Sequence, residues 1–454
     1  MRKIKKNRPT HIIFGLGKSG LSCARYFDRI SQKYFIVDSR KQPSGQDQLS
    51  DLTFCQGYQF GDIDTALLEN CKQLIVSPGI SLKNKFVSNA IDKKIDVCGD
   101  VEIFARECKK PIVAITGSNG KSTVTDLTDQ LITATNIDSQ KGGNIGLPVL
   151  DFLPQDKADI YVLELSSFQL DSCSSLSLKI GICLNITEDH MDRYNTFSDY
   201  VASKHKIYER AESVIFNQDD HLTFPAINNE QNQFSFTIEK ATPKDKVIGC
   251  LEKSDIGYQL VVSGKPIVST QNLKVTGTHN WANVLVSLSI LHLLNIDITK
   301  KVLNRLETYR GLEHRFQLVS RTTHCDWIND SKATNVGATV AALKSLDLSD
   351  GQKVILIAGG DSKESNLEPL IEPINSVVQD VILMGVDANK IASLPLDVNV
   401  YQTKNMRSAV NKANELIDDK KTIVLLSPAC ASLDMYSSFE ERGNDFIDSV
   451  RACA

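Results

Sequence analysis

Ile112-Val113-Ala114-Ile115-Thr116-Gly117-Ser118-Asn119-Gly120-Lys121-Ser122-Thr123-Val124-Thr125 is an apolar run, a glycine-rich turn carrying one lysine, and the start of a helix. A strand that feeds a helix through such a turn presents backbone amides to an anion, so Gly117, Ser118, Asn119, Gly120, Lys121, Ser122 and Thr123 are expected to cradle the phosphates of ATP. Lys121 would reach the β/γ oxygens, and the Ser122 hydroxyl would ligate Mg²⁺. The turn is a shortened variant, because Ile115 stands where the full motif has its first glycine. Packing alone gives no reason for a lysine there. The stretch therefore fixes an α/β fold and a nucleotide site together.

A second glycine turn lies upstream. Ile12-Ile13-Phe14 leads into Gly15-Leu16-Gly17-Lys18-Ser19-Gly20, followed by Leu21, Ala24 and Phe27 at helical spacing, and Asp38 ends the next apolar run. G-x-G-x-x-G at a helix start suits any diphosphate, of a dinucleotide or of a nucleotide sugar, and is a weak signal by itself. Two glycine turns on successive α/β units call for two phosphate-bearing ligands, which a simple dehydrogenase would not need.

The remaining chain is consistent with this. Its 454 residues suggest about three domains, and a mean hydropathy of −0.17 with 41% hydrophobic and 23% charged residues excludes wholesale disorder and a membrane-spanning bundle. A net charge of −4 provides no basic field for a nucleic acid. Eleven dispersed cysteines without a C-x-x-C pair fit a reducing compartment better than a zinc ribbon or a disulfide framework. Met1–Lys6 is basic, but the apolar stretch after it is too short for a secretory signal, so the start is read as a mature cytoplasmic one. Short strands are expected at Tyr34–Val37, Leu74–Val76, Ile160–Leu163, Ile180–Leu184, Val354–Ile357, Val381–Met384 and Thr422–Leu426. Helices are expected at Ser198–Arg210, His279–Leu294, Lys300–Leu306, Val336–Leu346 and Met406–Ile417. Between Asn232 and Thr270, the β-rich pieces Phe234–Thr237, Val247–Cys250, Tyr258–Val262 and Ile267–Ser269 read as a small antiparallel addition.

Several longer strings now carry a resemblance. Residues 112–125, Gly143-Asn144-Ile145-Gly146, Glu164-Leu165-Ser166-Ser167-Phe168-Gln169-Leu170 and Asn185-Ile186-Thr187-Glu188-Asp189-His190-Met191-Asp192-Arg193-Tyr194 resemble the cell-wall Mur ligases. So do Gly311-Leu312-Glu313-His314-Arg315-Phe316, Trp327-Ile328-Asn329-Asp330-Ser331-Lys332-Ala333-Thr334-Asn335, Gly359-Gly360-Asp361-Ser362-Lys363 and Ser427-Pro428-Ala429-Cys430-Ala431-Ser432-Leu433-Asp434. Within that family the likeness runs end to end with the member that adds D-glutamate. It implies three α/β domains: a Rossmann-like UDP-substrate domain at 1–99, a central P-loop ATP domain with the β addition at 100–311, and a Rossmann-like amino-acid domain at 312–454. The implied reaction joins D-glutamate to UDP-N-acetylmuramoyl-L-alanine through an acyl phosphate, in the cytoplasm. ATP and two Mg²⁺ ions would be needed, with no nucleic acid, no membrane insertion and a monomeric chain.

The resemblance also implies roles. Lys18, Ser19 and Gly20 would hold the diphosphate, Asp38, Ser39 and Arg40 the uridine, and Ser77, Gly79, Asn144, Ser166 and Gln169 the rest of the UDP substrate. Glu164 and His190 would be metal ligands together with Ser122 and a carbamylated Lys204, and Lys121, Glu164, His190 and Lys204 would form the catalytic set. Asn280 and Asn283 would sit at the adenine side, Arg315 at the γ-phosphate and Asp330 at the ribose. Lys332, Thr334, Lys363, Ser432 and Phe439 would receive D-glutamate. From the residues alone blander readings stand beside these: Glu164 as a cap of the next helix, Asn280 and Asp330 as helix or turn caps, and Lys204 as an exposed lysine on a charged helix. A folylpolyglutamate-type ligase is the alternative within enzymes. An NAD-binding module is the alternative outside them, and it would leave Lys121, Glu164 and His190 without work.

Overall fold

The computed structural model describes residues 9–155, 157–191, 193–226, 231–239, 246–254, 257–346, 348 and 351–453. The Met1–Lys6 reading lies outside them. Three sheets follow one another along the chain. The first has five parallel strands in the order Cys55–Phe60, Tyr34–Asp38, His11–Phe14, Gln73–Val76, Asp96–Cys98. His11–Phe14 is therefore flanked by one strand ending in Asp38 and another leading to Ser77. At such a switch point the helices on either side diverge and leave a crevice, into which the Gly15–Gly20 turn opens.

The second sheet repeats the device. Ile112–Thr116 is buried throughout and lies between Ile160–Glu164 and Leu178–Cys183. Glu164 at one strand end and the Asn185–His190 loop after the other are thus delivered to opposite sides of the glycine turn. The sheet continues outward through Ala211–Asn217, Asn232–Thr237, Val247–Ser254, Gly257–Val262 and Lys265–Ser269, with Ser139–Gly143 at its other edge. The expected small antiparallel addition needs a correction in detail. Asn232–Thr237 is parallel to both of its neighbours, and only the last three strands pair antiparallel. The pieces extend the central sheet because Ala211–Asn217, not recognised as a strand in the sequence, offers them an open edge.

The third sheet runs Gln317–Arg321, Cys325–Asn329, Thr422–Leu426, Lys353–Ala358, Asp380–Leu383, Asn399–Gln402, parallel except for its first strand. Ser427 directly follows the strand Thr422–Leu426, and Asp330 and Gly359 directly follow the strands on either side of it. Each sheet thus gathers its polar, chemistry-bearing residues at the C-terminal ends of its strands.

Core packing joins the units unequally. One apolar cluster runs from Ile13, Leu21 and Phe27 through Phe104, Phe152 and Tyr161 to Ile207, so the first two sheets share a core. Arg25 adds an ion pair to Asp151 at 2.6 Å, and Tyr26 donates to Glu107 at 2.9 Å. Among the described residues, the apolar clusters of the third unit draw only on those from Phe316 onward.

Gly20 has no room for a side chain, since a Cβ there would lie 1.8 Å from the Gly15 carbonyl oxygen. Gly79, by contrast, has nothing within 4 Å. Gly20→Ala is expected to destabilise the N-terminal unit by about 1–3 kcal/mol and Gly79→Ala to be nearly neutral, which paired urea melts would measure.

Candidate active site

The glycine turn of the central sheet closes around its own lysine. The Nζ of Lys121 donates to the Gly117 and Ser118 carbonyls, each at 2.8 Å. Lys204, from the helix Phe197–His205, donates to the same Gly117 carbonyl at 2.8 Å. Lys204 is only 2% exposed and lies 4.6 Å over the Tyr200 ring, so the reading of an exposed lysine on a charged helix face fails. Tyr200 in turn shares a 3.1 Å hydrogen bond with Ser118 and thereby fixes the helix to the turn.

Two ammonium groups on one carbonyl, away from water, disfavour their own charge. Burial, aided by repulsion from Lys121, lowers the Lys204 amine to about 7. Burial also lowers Lys121, against the pull of Glu164 and Asp189. A near-neutral amine has a free lone pair, which an ordinary surface lysine lacks at pH 7.

Glu164 is 2% exposed. Its Oε1 accepts from Asn144 at 2.7 Å, while its Oε2 has no hydrogen-bond partner among the described residues. It does not cap the helix that follows, because Ser166 and Gln169 form the capping box there. A buried carboxylate oxygen with a free lone pair beside a phosphate-type turn fits a cation. Among the described residues no three His, Cys, Asp or Glu side chains gather into a metal cage. Glu164, Ser122 and His190 carry the oxygen and nitrogen donors that could hold a cation at this turn. His190 sits at φ +58°, with Nε2 3.6 Å from Asp189 and its ring 5.0 Å from that of Phe168.

The third unit reaches into the same place. Arg315 donates to the Ser122 hydroxyl at 2.6 Å, and burial lowers its guanidinium. One cavity is lined by Asn119, Gly120, Asn280, Asn283, Arg315 and Asp330, which brings the expected adenine, phosphate and ribose residues together. Asn280 is not the helix cap, since Gly277 occupies that position and the Asn280 side-chain Nδ2 donates back to the Thr276 carbonyl at 2.9 Å. Asp330 does hold a turn, accepting from the Phe316 amide and from Ser427, and burial raises its carboxyl to about 7. Lys332 lies 4.0 Å over the Phe439 ring, and burial, with repulsion from Arg315 and Lys121, lowers it to about 8. Ser432 is buried in the neighbouring loop. Thr334 follows Lys332 in a turn closed by its own amide. Lys363 is exposed at φ +49° on the Asp361 loop, where its backbone amide donates to the Asp361 carboxylate at 2.8 Å.

Around the first glycine turn the picture is mixed. Asp38 accepts from the Leu16 amide at 2.7 Å and from the amide, Nε and Nη2 of Arg40 at 2.7–2.9 Å. Burial would raise it, but the Arg40 guanidinium and these amides hold it below the usual range. Its carboxylate therefore closes the turn. Lys18 and Ser39 stay exposed at the rim, and Ser77 donates to the Gly15 carbonyl at 3.1 Å. Asn144, Ser166 and Gln169 belong to the Glu164 neighbourhood.

Arg193 was not singled out from the sequence. It lies 4.3 Å over Phe168 and donates to the Gly79 carbonyl at 3.1 Å, which ties the His190 loop to the Ser77–Gly79 turn. Arg442, 1% exposed, was missed as well. It donates to the carbonyls of Ser331 and Cys430 and so braces the loops that carry Lys332 and Ser432. Arg193 stood inside a matched string and Arg442 beyond the last one, and nothing in their spacing revealed which carbonyls they would meet.

Charge burial sets the sign of a pH effect. Unfolded, Lys204 titrates near 10.5 and is charged at pH 7, whereas folding favours its neutral form. Its cost to stability is therefore full below about pH 7 and fades as pH rises toward 10.5. In CO₂-free buffer Lys204→Met is expected to raise stability at pH 7 by about 2–4 kcal/mol, with the gain shrinking by pH 10, as denaturant melts at the two pH values would record.

Family models match three successive parts of the chain: "Mur ligase MurD-like, N-terminal domain" at residues 9–99, "Mur ligase middle domain" at 115–291 and "Mur ligase, glutamate ligase domain" at 314–430. The UDP-N-acetylmuramoylalanine–D-glutamate ligase of Shewanella oneidensis is 43% identical over 97% of this chain and 98% of its own. That of Pseudomonas aeruginosa is 39% identical over 98% of each. Among solved structures, MurF ligase from Thermotoga maritima in complex with ADP shares the fold at a TM-score of 0.62, with 13% identity over 99% of this chain and 100% of that one. With glycine turn, carboxylate and third-unit arginine assembled as described, and with likeness of this degree along its length, the chain belongs to the Mur ligase family, in the group of the UDP-N-acetylmuramoylalanine–D-glutamate ligases.

Proposed function

We propose that this chain forms the amide between the carboxylate of UDP-N-acetylmuramoyl-L-alanine and the amine of D-glutamate, driven by ATP. The observation that carries the reading is the convergence at the central glycine turn. Lys121 and Lys204 meet on Gly117, Arg315 meets Ser122, and the unpartnered oxygen of Glu164 belongs to the neighbouring strand end. Such a cluster has surplus positive charge and suits a triphosphate beside a carboxylate. The amino acid and the acceptor follow from the relatives named above.

A carboxylate oxygen of the acceptor attacks the γ-phosphorus, ADP departs, and an acyl phosphate results. The amine of D-glutamate then attacks the acyl carbon, loses a proton and expels phosphate. Lys121 and Arg315 neutralise charge on the transferring group, and the loop amides of Gly117–Thr123 hold the β-phosphate. Mg²⁺ at Glu164, Ser122 and His190 would supply further charge neutralisation at the phosphates. The neutral amine of Lys204 is suited to add CO₂, which would turn a donor-only group into an anionic oxygen ligand. Lys332 and Ser432 would take the carboxylates of D-glutamate, with Phe439 stacked under Lys332, and Lys363 would join them from the Asp361 loop. Docking of the third unit would keep water from the acyl phosphate.

Supplying the UDP-linked acceptor, ATP and Mg²⁺ with D-glutamate, L-glutamate, L-alanine or L-lysine should give phosphate release with D-glutamate alone; release with another amino acid would redirect the assignment. Lys121→Ala should lower turnover at least about 10³-fold while the UDP acceptor still raises the melting temperature. ¹³C-bicarbonate should give a carbamate resonance that Lys204→Arg lacks.

A further inference from the structure

Asn335 ends the matched string around Lys332, and the reaction as derived gives it no task. Its side chain is 8% exposed and does two things at once. Oδ1 caps the helix Val336–Lys344 by accepting from the Ala338 amide at 2.9 Å. Nδ2 points out of the third unit and donates to Asn119 Oδ1 of the glycine turn at 3.4 Å and to Asp189 Oδ2 at 3.2 Å. Both acceptors are held from behind. The Asn119 backbone exchanges hydrogen bonds with the Asn185 side chain at 2.8 and 3.1 Å, and the other oxygen of Asp189 accepts from the His190 amide. One amide group therefore touches the phosphate turn and the His190 loop together, and it finds both acceptors only when the two loops are in register.

A second observation lies two residues further on. Gly337 is in the first turn of the helix, where glycine is still a poorer helix former than alanine. A Cβ there would meet Thr187 Oγ1 at 2.5 Å and Thr187 Cβ at 2.9 Å. Helix propensity is given up so that the backbone can lie against the same loop. Among the described residues the third unit shares no apolar cluster with the other two, and at this point the approach is made by polar groups and a missing side chain.

We propose that Asn335 and Gly337 form the docking latch of the third unit, with Asn335 a positioning residue that couples the arrangement of the glycine turn and the Asp189–His190 loop to delivery of the amino-acid-binding residues. The turnover arm of the test rests on the ligase reading above; the scattering arm does not.

Asn335→Asp keeps an equally good helix cap but sets a carboxylate against Asp189. Asn335→Ser keeps a cap and withdraws the donor. Gly337→Ala wedges the contact while favouring the helix. Apo melting temperatures should stay at the parental value in all three. Small-angle scattering with the UDP acceptor and a non-hydrolysable ATP analogue should show the parent compact and Asn335→Asp and Gly337→Ala extended. Turnover should fall at least about tenfold in both, and less in Asn335→Ser. Adding Asp189→Asn to Asn335→Asp should restore compaction by reversing donor and acceptor. Parental compaction in Asn335→Asp and Gly337→Ala, or a double variant as extended as Asn335→Asp, would overturn the latch. A parent that compacts yet releases no phosphate with D-glutamate would instead count against the ligase reading.

Discussion

A half-buried Lys121 and a buried Lys204 share the carbonyl oxygen of Gly117, and the arrangement of the central unit follows from that constraint. Like charges so placed are tolerable only if one loses its proton or if anions gather round them. The protein uses both routes. Lys204 is driven toward neutrality, while Glu164 and Asp189 surround the pair with negative charge. A triphosphate entering the turn would relieve the same imbalance, so the feature that costs stability would also favour binding.

Topology brings these groups together without long loops. In the first two sheets the strand that comes first in the chain has parallel neighbours on both sides, and their ends frame a crevice. Glu164 arrives from one side of Ile112–Thr116 and the Asn185–His190 segment from the other. Asp38 and Ser77 frame the upstream turn in the same way. Arg193 then ties one crevice to the other by reaching from the His190 loop to Gly79.

Much of this was legible in the sequence because glycine and lysine in a turn have few structural excuses. The strands around both glycine turns, the long helix Thr278–Leu293 and the strand Thr422–Leu426 announced themselves by apolar runs or periodicity. Cys325–Asn329 did not, since Asp326 and Asn329 interrupt its apolar character although both are buried. Phe439–Cys453 was hidden too: its buried face includes Arg442, Gly443 and Ser449 and only a few apolar side chains. Lys204 sits among Ser203, His205 and Lys206, so its helix looks solvent-facing until tertiary packing covers it. Asp38 shows the converse. Its position beside a glycine turn suggested a ligand contact, and a neighbour two residues away, Arg40, occupies its carboxylate.

The unequal joining of the three units bears on how such enzymes diversify. Where two sheets share one apolar cluster, neither can be exchanged without rebuilding the interior of the other. A unit whose contacts with its neighbours include an arginine, an amide, a bare glycine and a single ring pair, with no shared apolar cluster among the described residues, imposes a much shorter list of requirements on any replacement. Recombination could therefore alter which building block is added far more readily than which carrier receives it.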